Sequence, residues 1–451
     1  MRKGGDGVRL RKILSGIISL AFILATVTGC FRIKADELYS LPQPSREYLK
    51  LQAQLATVLA TSAEYSPPLA GPNRQSVQLR DVDGDGRNEA IAFFRTTGDK
   101  PLKIHILKQT GTAYETADVI DGDGAAIDSI RYADMNGDGI LEFVIGWRMS
   151  PTLLHMNIYT IKGGQYTSLA DGDYTEIAIS DMDLDGRQDV VTIRLPSSEL
   201  PAQADMFSLR SDGDIDIKSA RLSKGIESIS GVLKGGLEDG TSALFIEGNY
   251  SGGSLVTDIV AWRDGNLSNI TAGLSSSVSE DTLRSYTVYS ADINRDGVTE
   301  VPSPRQLQNS SADTTYYVID WYKYDRYGLR TRVFSTYHDF SDGWYLILPD
   351  AWRYIVSVRR EDSVAGERTL IFSSLSGTYV GMMDFLKIYT LSGDNKDDRA
   401  KLPERFTLQV HGDTIYSAEI IEGNTEITIS IPQVKDGFRL LYSDWATDRV
   451  S

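Results

Sequence analysis

Short apolar runs bounded by Gly and polar turns recur along this chain. AIAFF, FVIGW and VVTIRL are rich in β-branched and aromatic residues and too short for helices, so they predict buried strands. SIRYAD, EFVIGW, MNIYTIK and GQYTSLA follow one another as four strands, and SYTVYSAD, TYYVIDWYKYD and LRTRVFSTY repeat the plan later. DGWYLILPDAWRYIVSV, RTLIFSS, FLKIYTLSG, FTLQVHGD and TIYSAEIIEG carry strands towards the C-terminus. Helical spacing is confined to two places. Tyr48, Leu51, Leu55, Val58 and Leu59 step by three and four behind a capping Ser45, and Val434, Phe438, Leu441 and Trp445 do so near the end. YSPPLAGPN breaks the chain before the first strands. The fold class expected is mainly β.

Between strands lies an acidic loop in four copies: DVDGDGRNE from Asp81, DMNGDGILE from Asp134, DMDLDGRQD from Asp181 and DINRDGVTE from Asp292. Each fits D-x-[DN]-x-D-G-x-x-[DE], with side-chain oxygens at positions 1, 3, 5 and 9. Such a set suits a hard cation, since Ca²⁺ takes about six to eight oxygens at about 2.3–2.6 Å. Position 6 is Gly86, Gly139, Gly186 or Gly297, which a tight turn around an ion requires. Position 7 varies freely, as a backbone-carbonyl ligand would allow. An EF-hand is excluded: position 12 is Ala92, Ile145, Thr192 or Ser303 instead of Glu, and a strand follows instead of a helix.

The loops recur about every 50 residues, with one double-length gap. Inside it GLEDGTSALFIEG keeps the Asp-Gly turn but has Gly235, Leu237 and Ala243 where ligands belong. Five repeats of several short strands at this period are the signature of propeller blades.

The combination resembles the FG-GAP and VCBS repeat families of integrin-alpha-type propellers over about residues 73–340. The FG and GAP tripeptides are absent, and five blades are counted where integrins have seven. The resemblance implies a structural Ca²⁺ in each loop, up to four in all. Its ligands would be Asp81, Asp83, Asp85, Arg87 (carbonyl) and Glu89 in the first copy, and Asp134, Asn136, Asp138, Ile140 (carbonyl) and Glu142 in the second. Asp181, Asp183, Asp185, Arg187 (carbonyl) and Asp189 would serve the third, and Asp292, Asn294, Asp296, Val298 (carbonyl) and Glu300 the last. The loops with four carboxylates, at Asp81 and Asp181, are expected to bind more tightly than those with Asn136 or Asn294.

At the N-terminus Arg2, Lys3, Arg9, Arg11 and Lys12 precede the apolar run ILSGIISLAFILATV, short for a span of about 20 residues and typical of a signal segment. It ends in VTGC, which resembles the bacterial lipobox, in which the cysteine is lipidated. Cys30 is the only cysteine, so a disulfide within the chain has no partner. Residues 1–29 hold five of the 46 basic and one of the 62 acidic residues, leaving a net charge of −20 that four Ca²⁺ would bring to −12. Such acidity argues against nucleic acid as a partner.

No catalytic constellation emerges. His105, His155, His338 and His411 are far apart in sequence, and no G-x-S-x-G elbow, Walker loop or dinucleotide fingerprint is present. Tyr316, Tyr317, Trp321, Tyr322, Tyr324 and Tyr327 crowd one repeat, as blade filling or as an aromatic platform. DGD at Asp121, Asp171 and Asp212 reads as turns.

The expected organisation is a lipoprotein signal peptide (1–29), a lipidated tether and amphipathic helix (30–72), a propeller of about five four-stranded blades (73–340) and a small α+β domain (341–451). The expected role is recognition of extracellular protein or polysaccharide by a lipid-anchored, extracytoplasmic membrane protein. An envelope enzyme and a structural assembly factor are the alternatives.

Overall fold

The computed structural model describes residues 45–441, apart from 112, 163, 308–313, 376–381 and 425–426. The signal segment, Cys30 and Trp445 lie outside the described residues. No helix among the described residues is long and apolar enough to cross a membrane.

Among the described residues, six antiparallel sheets follow one another in chain order. The first contains β1 (Glu64–Tyr65), β2 (Val77–Arg80), β3 (Glu89–Arg95), β4 (Leu102–Thr110) and β5 (Ala113–Gly122); both β1 and β2 pair with β3, as one edge strand in two pieces. The second is β6 (Ala126–Ala133), β7 (Glu142–Arg148), β8 (Leu154–Lys162) and β9 (Gln165–Tyr174). The third is β10 (Glu176–Ser180), β11 (Asp189–Arg194), β12 (Gln203–Leu209) and β13 (Ile215–Arg221). The fourth is β14 (Ile226–Gly236), β15 (Ser242–Tyr250), β16 (Ser254–Arg263) and β17 (Asn266–Asn269). The fifth begins with β18 (Val301–Gln306), β19 (Tyr317–Tyr324), β20 (Arg330–Asp339) and β21 (Trp344–Leu348). The sixth contains β22 (Val356–Val364), β23 (Glu367–Leu375), β24 (Met382–Leu391), β25 (Arg405–His411) and β26 (Thr414–Ile420), with β26 between β24 and β25. Finally β27 (Phe438–Leu440) returns to pair with β21. The mainly β plan expected, of successive antiparallel sheets, is what the chain adopts.

Strands whose two faces are both covered lose the polar alternation, as β3 and β7 do in burying all but their last residue. The apolar faces so created are shared between consecutive sheets. Phe93 and Ile104 of the first meet Ile130 and Phe143 of the second. Val144 and Ile158 meet Val190 and Phe207 of the third, whose Val191 and Met206 meet Leu244 and Val256 of the fourth. Phe245 and Ile259 then meet Val301 and Tyr324 of the fifth.

Residues beyond 340 continue this stack. Val318 and Tyr337 of the fifth sheet share a core with Phe372 and Leu386 of the sixth, and the β20–β21 pairing crosses residue 340. The C-terminal helix runs only over Ile431–Gly437, and Phe438 starts β27, so the helical spacing through Leu441 ends early. Trp344 draws Phe438 into ring contact at 5.4 Å, which favours the strand. SYTVYSAD also departs from expectation. It forms no strand beyond a single bridge from Ala291 to Glu300, and β18 takes the place after the loop.

Helix α1 (Arg46–Leu59) is capped as its sequence suggests, Ser45 Oγ accepting the Tyr48 N–H at 3.1 Å. Leu51, Leu55 and Val58 are buried with Ala92, Phe94 and Leu107 of the first sheet, while Tyr48 is exposed.

Candidate metal centre

Each acidic loop leads into a strand, three of them from a strand and the Asp292 loop from the isolated Ala291–Glu300 bridge, and the four copies share one geometry. The position-1 carboxylate accepts the position-6 N–H: Asp81 from Gly86 at 2.8 Å, Asp134 from Gly139 at 3.0 Å, Asp181 from Gly186 at 2.9 Å and Asp292 from Gly297 at 2.8 Å. The position-5 carboxylate accepts the position-7 N–H in every copy, at 2.8–2.9 Å. Position 6 is left-handed throughout, with φ between +81° and +87°. Position 4 is left-handed too, a requirement the motif did not reveal: Gly84 and Gly137 satisfy it without strain, but Leu184 at +61° and Arg295 at +62° do not.

The position-9 acid is the buried end of the motif. One oxygen accepts the position-2 N–H in all four copies, from Val82 to Glu89 (3.1 Å), Met135 to Glu142 (3.0 Å), Met182 to Asp189 (3.0 Å) and Ile293 to Glu300 (3.1 Å). Burial pushes all four carboxyls above their ordinary range, Asp189 to about 6 and Glu300 to about 8.

What the second oxygen meets is set by the next strand. Continuing the register of each strand pair, the residues opposite position 9 are Lys108, Thr160, Ser208 and Lys323. Thr160 Oγ1 donates to Glu142 at 2.8 Å and Ser208 Oγ donates to Asp189 at 2.5 Å. Lys108 turns instead to Asp83, and Lys323 to Glu238 at 2.7 Å. Glu300 Oε1 is left buried without a hydrogen-bond partner. These four cross-strand residues were invisible to the loop motif, being 18 to 23 positions beyond the acid they face.

Ligand atoms of Asp81, Asp83 and Asp85 lie within 4.8 Å of one another, as do those of Asp181, Asp183 and Asp189. In the other two loops Asn occupies position 3, and its amide donates to the position-5 carboxylate at 2.9 Å (Asn136 to Asp138, Asn294 to Asp296). Burial raises the Asp183 carboxyl, with the charge of Asp185 adding to it. By contrast the side-chain hydrogen bonds from Arg87 and Arg187 hold Asp85 and Asp185 low. The all-oxygen donor set, the crowding at Asp183 and the orphaned Glu300 oxygen fit a hard divalent cation.

Neighbouring loops are joined. Leu141 N–H donates to Val82 O at 3.0 Å, Gln188 N–H to Asp134 O at 3.1 Å and Thr299 N–H to Gly236 O at 3.0 Å, each position 8 reaching the preceding repeat. A Cβ on Gly84 would meet Gly139 O at 3.1 Å, so the close approach itself favours glycine. In the degenerate fourth loop the remaining acids are taken by the fifth sheet, Glu238 by Lys323 and Asp239 by Arg326.

Elsewhere, the histidines stay apart. His105 lies edge-on to Phe94, and His155 Nδ1 is 2.8 Å from Asp173 with Nε2 3.4 Å from Asp171. His338 is buried against Tyr345. Asp121, Asp171 and Asp173 lie in strands β5 and β9, not turns, because those strands extend to pair with β4 and β8; only Asp212 is in a turn. Trp321 and Tyr324 are buried between sheets, whereas Tyr327 is exposed.

The FG-GAP-like repeat family model matches residues 62–145, a span holding the Asp81 and Asp134 loops. A crystal structure of a protein from Lactobacillus plantarum is 11% identical over 69% of this chain and 88% of that one, with a TM-score of 0.26. An exotype rhamnogalacturonan lyase, YesX, is 10% identical over 79% of this chain and 75% of its own, also with a TM-score of 0.26. No curated protein matches the chain.

Proposed function

We propose that this chain, with its FG-GAP-like repeat over residues 62–145, is a lipid-anchored recognition module on the extracytoplasmic face of a bacterial membrane, stiffened by calcium. The observation that carries it is the fourfold recurrence of one loop geometry, tied from repeat to repeat by backbone hydrogen bonds. A cation held there would cross-brace adjacent sheets, which suits a rigid display surface. Asp81, Asp83, Asp85 and Glu89 with the Arg87 carbonyl would hold the first ion, and the corresponding residues from Asp134, Asp181 and Asp292 the others. Calcium at ten times its dissociation constant stabilises a site by about 1.4 kcal/mol. Cys30 would carry the lipid, and the partner would be an extracellular protein or polysaccharide.

The test uses the full chain in detergent, applied to a glycan array and to purified envelope proteins in millimolar Ca²⁺ and in chelator, with thermal melts alongside. Calcium-dependent capture of a defined partner with a raised melting point is expected. A melt indifferent to calcium would overturn the metal assignment, and absence of any binding would overturn the recognition role.

A further inference from the structure

The outer strands of the third and fourth sheets, β13 and β17, are neighbours, and a cavity of about 920 Å³ opens where they diverge. Its wall is completed by the segment after β11, at the end of that strand remote from the Asp181 loop. The volume is that of a ligand site, which typically spans about 300–1,000 Å³.

Its charge is opposite to that of the molecule. The chain carries 62 acidic against 46 basic residues, yet Arg221, Lys224 and Arg263 line this cavity with Glu199 as its one acid. Several surface arginines elsewhere are taken by carboxylates, as Arg210 is by Asp212 and Arg326 by Asp239. Among the described residues, the side chains of Arg221, Lys224 and Arg263 hold no ion pair. Three uncompensated cations gathered in one concavity of an acidic protein are placed for an anion, and a guanidinium offers a carboxylate two parallel donors.

The remaining lining supplies the second half of the chemistry. Ser197 and Ser268 present hydroxyl groups, while the exposed Tyr327 ring also lines the site. Hydroxyls exchange hydrogen bonds with sugar hydroxyls, and an aromatic face covers the apolar side of a pyranose. We infer that the cavity between β13 and β17 binds an acidic oligosaccharide, its carboxylates held by Arg221, Lys224 and Arg263 and a sugar ring laid against Tyr327. The inference rests on the recognition role proposed above and names its ligand class.

The experiment is calorimetric titration of the full chain in detergent, at fixed Ca²⁺, with a glucuronate oligosaccharide, a neutral glucose oligosaccharide of equal length, and sulfate. Binding of the uronate, at least tenfold weaker binding of the neutral sugar, and no competition from equimolar sulfate are expected. Arg221→Ala and Arg263→Ala should each weaken uronate binding about tenfold, the worth of one charge-assisted hydrogen bond, with unchanged melting. Arg210→Ala, outside the cavity, should have no effect. Should an arginine variant fail to fold, the exposed Lys224→Ala carries the same expectation. Equal affinity for the neutral sugar, full competition by sulfate, or variants that bind as wild type would each overturn the inference. If another partner is captured and the variants still hold it, the ligand class falls while the recognition role stands.

Discussion

Gln188 and Asp134 are tied in both directions: the Gln188 N–H donates to the Asp134 carbonyl at 3.1 Å, and the Asp134 N–H donates to Gln188 Oε1 at 3.0 Å. The pair locks the eighth position of one acidic loop onto the first position of the loop before it, so the side chain that begins one site is positioned by the next repeat. Gln188→Ala should cost about 1 kcal/mol, the typical worth of such a bond, in urea denaturation. It should also weaken calcium binding at the Asp134 loop, since the Asp134 N–H loses its side-chain partner and only the backbone half of the tie remains. Unchanged calcium affinity alongside the lost stability would show that the tie is structural only.

Lys108 decides the rank of the two four-carboxylate loops. It pairs with Asp83, one of the first loop's proposed ligands, whereas the equivalent Ser208 donates to Asp189 without adding charge. A cation must displace or tolerate the ammonium at the first loop, so the Asp181 loop is expected to bind calcium more tightly. Lys108→Met should raise affinity at the first loop several-fold while costing about 1 kcal/mol in stability, since the ammonium stays partly solvated although Asp83 is largely covered. Ser208→Lys should do the reverse at the third. Site-resolved calcium titration by NMR reads both, and equal affinities in all three proteins would refute the ranking.

The loops, the strands they feed and helix α1 were legible because each is a local pattern: a fixed spacing of oxygens, an apolar run, a cap. What lay beyond the sequence is what register creates. Nothing near Glu142 or Glu300 announces that Thr160 will face the first and Lys323 the second, since that depends on hairpin pairing. Gln188 likewise carries no local signature between Arg187 and Asp189. At the C-terminus β27 was missed because long-range packing overruled local spacing, Trp344 recruiting Phe438 into the strand. The cavity between β13 and β17 gathers residues from 196 to 327 and has no local signature at all.

Leu184 offers a stabilising change. It sits at φ +61° in the place occupied by Gly84 and Gly137 in the first two loops, and its side chain is exposed. A non-glycine residue in this region costs about 1–2 kcal/mol, against about 0.5–1 kcal/mol for the extra unfolded freedom of glycine. Leu184→Gly should therefore raise stability by about 0.5 kcal/mol in chelator. The converse, Gly84→Leu, should destabilise by more, because its Cβ would also press on Gly139 O at 3.1 Å. Denaturant midpoints of the two variants should move in opposite directions; the same direction would refute the strain argument.

Glu300 makes the metal-free protein sensitive to alkaline pH. Its Oε2 accepts the Ile293 N–H, its Oε1 has no partner, and burial, reinforced by Asp296 and Asp292, pushes its carboxyl up to about 8. An unfolded glutamate titrates near about 4.3, so the folded state holds this proton over the range between. A raised folded value means stability that is complete below the unfolded value and lost as pH rises through the folded one. In chelator, melting should fall from pH ~6.5 to ~9, and Glu300→Gln, which stays neutral, should flatten that fall. Asp189, raised to about 6, acts in the same sense lower down. His338, buried and pushed down to about 3, acts oppositely, destabilising as pH drops below about 6.5, which is why the window starts there. Calcium favours the ionised carboxylate, so its addition should remove most of the wild-type slope and little of the variant's. Parallel curves for the two proteins in chelator would rule out Glu300 as the titrating group.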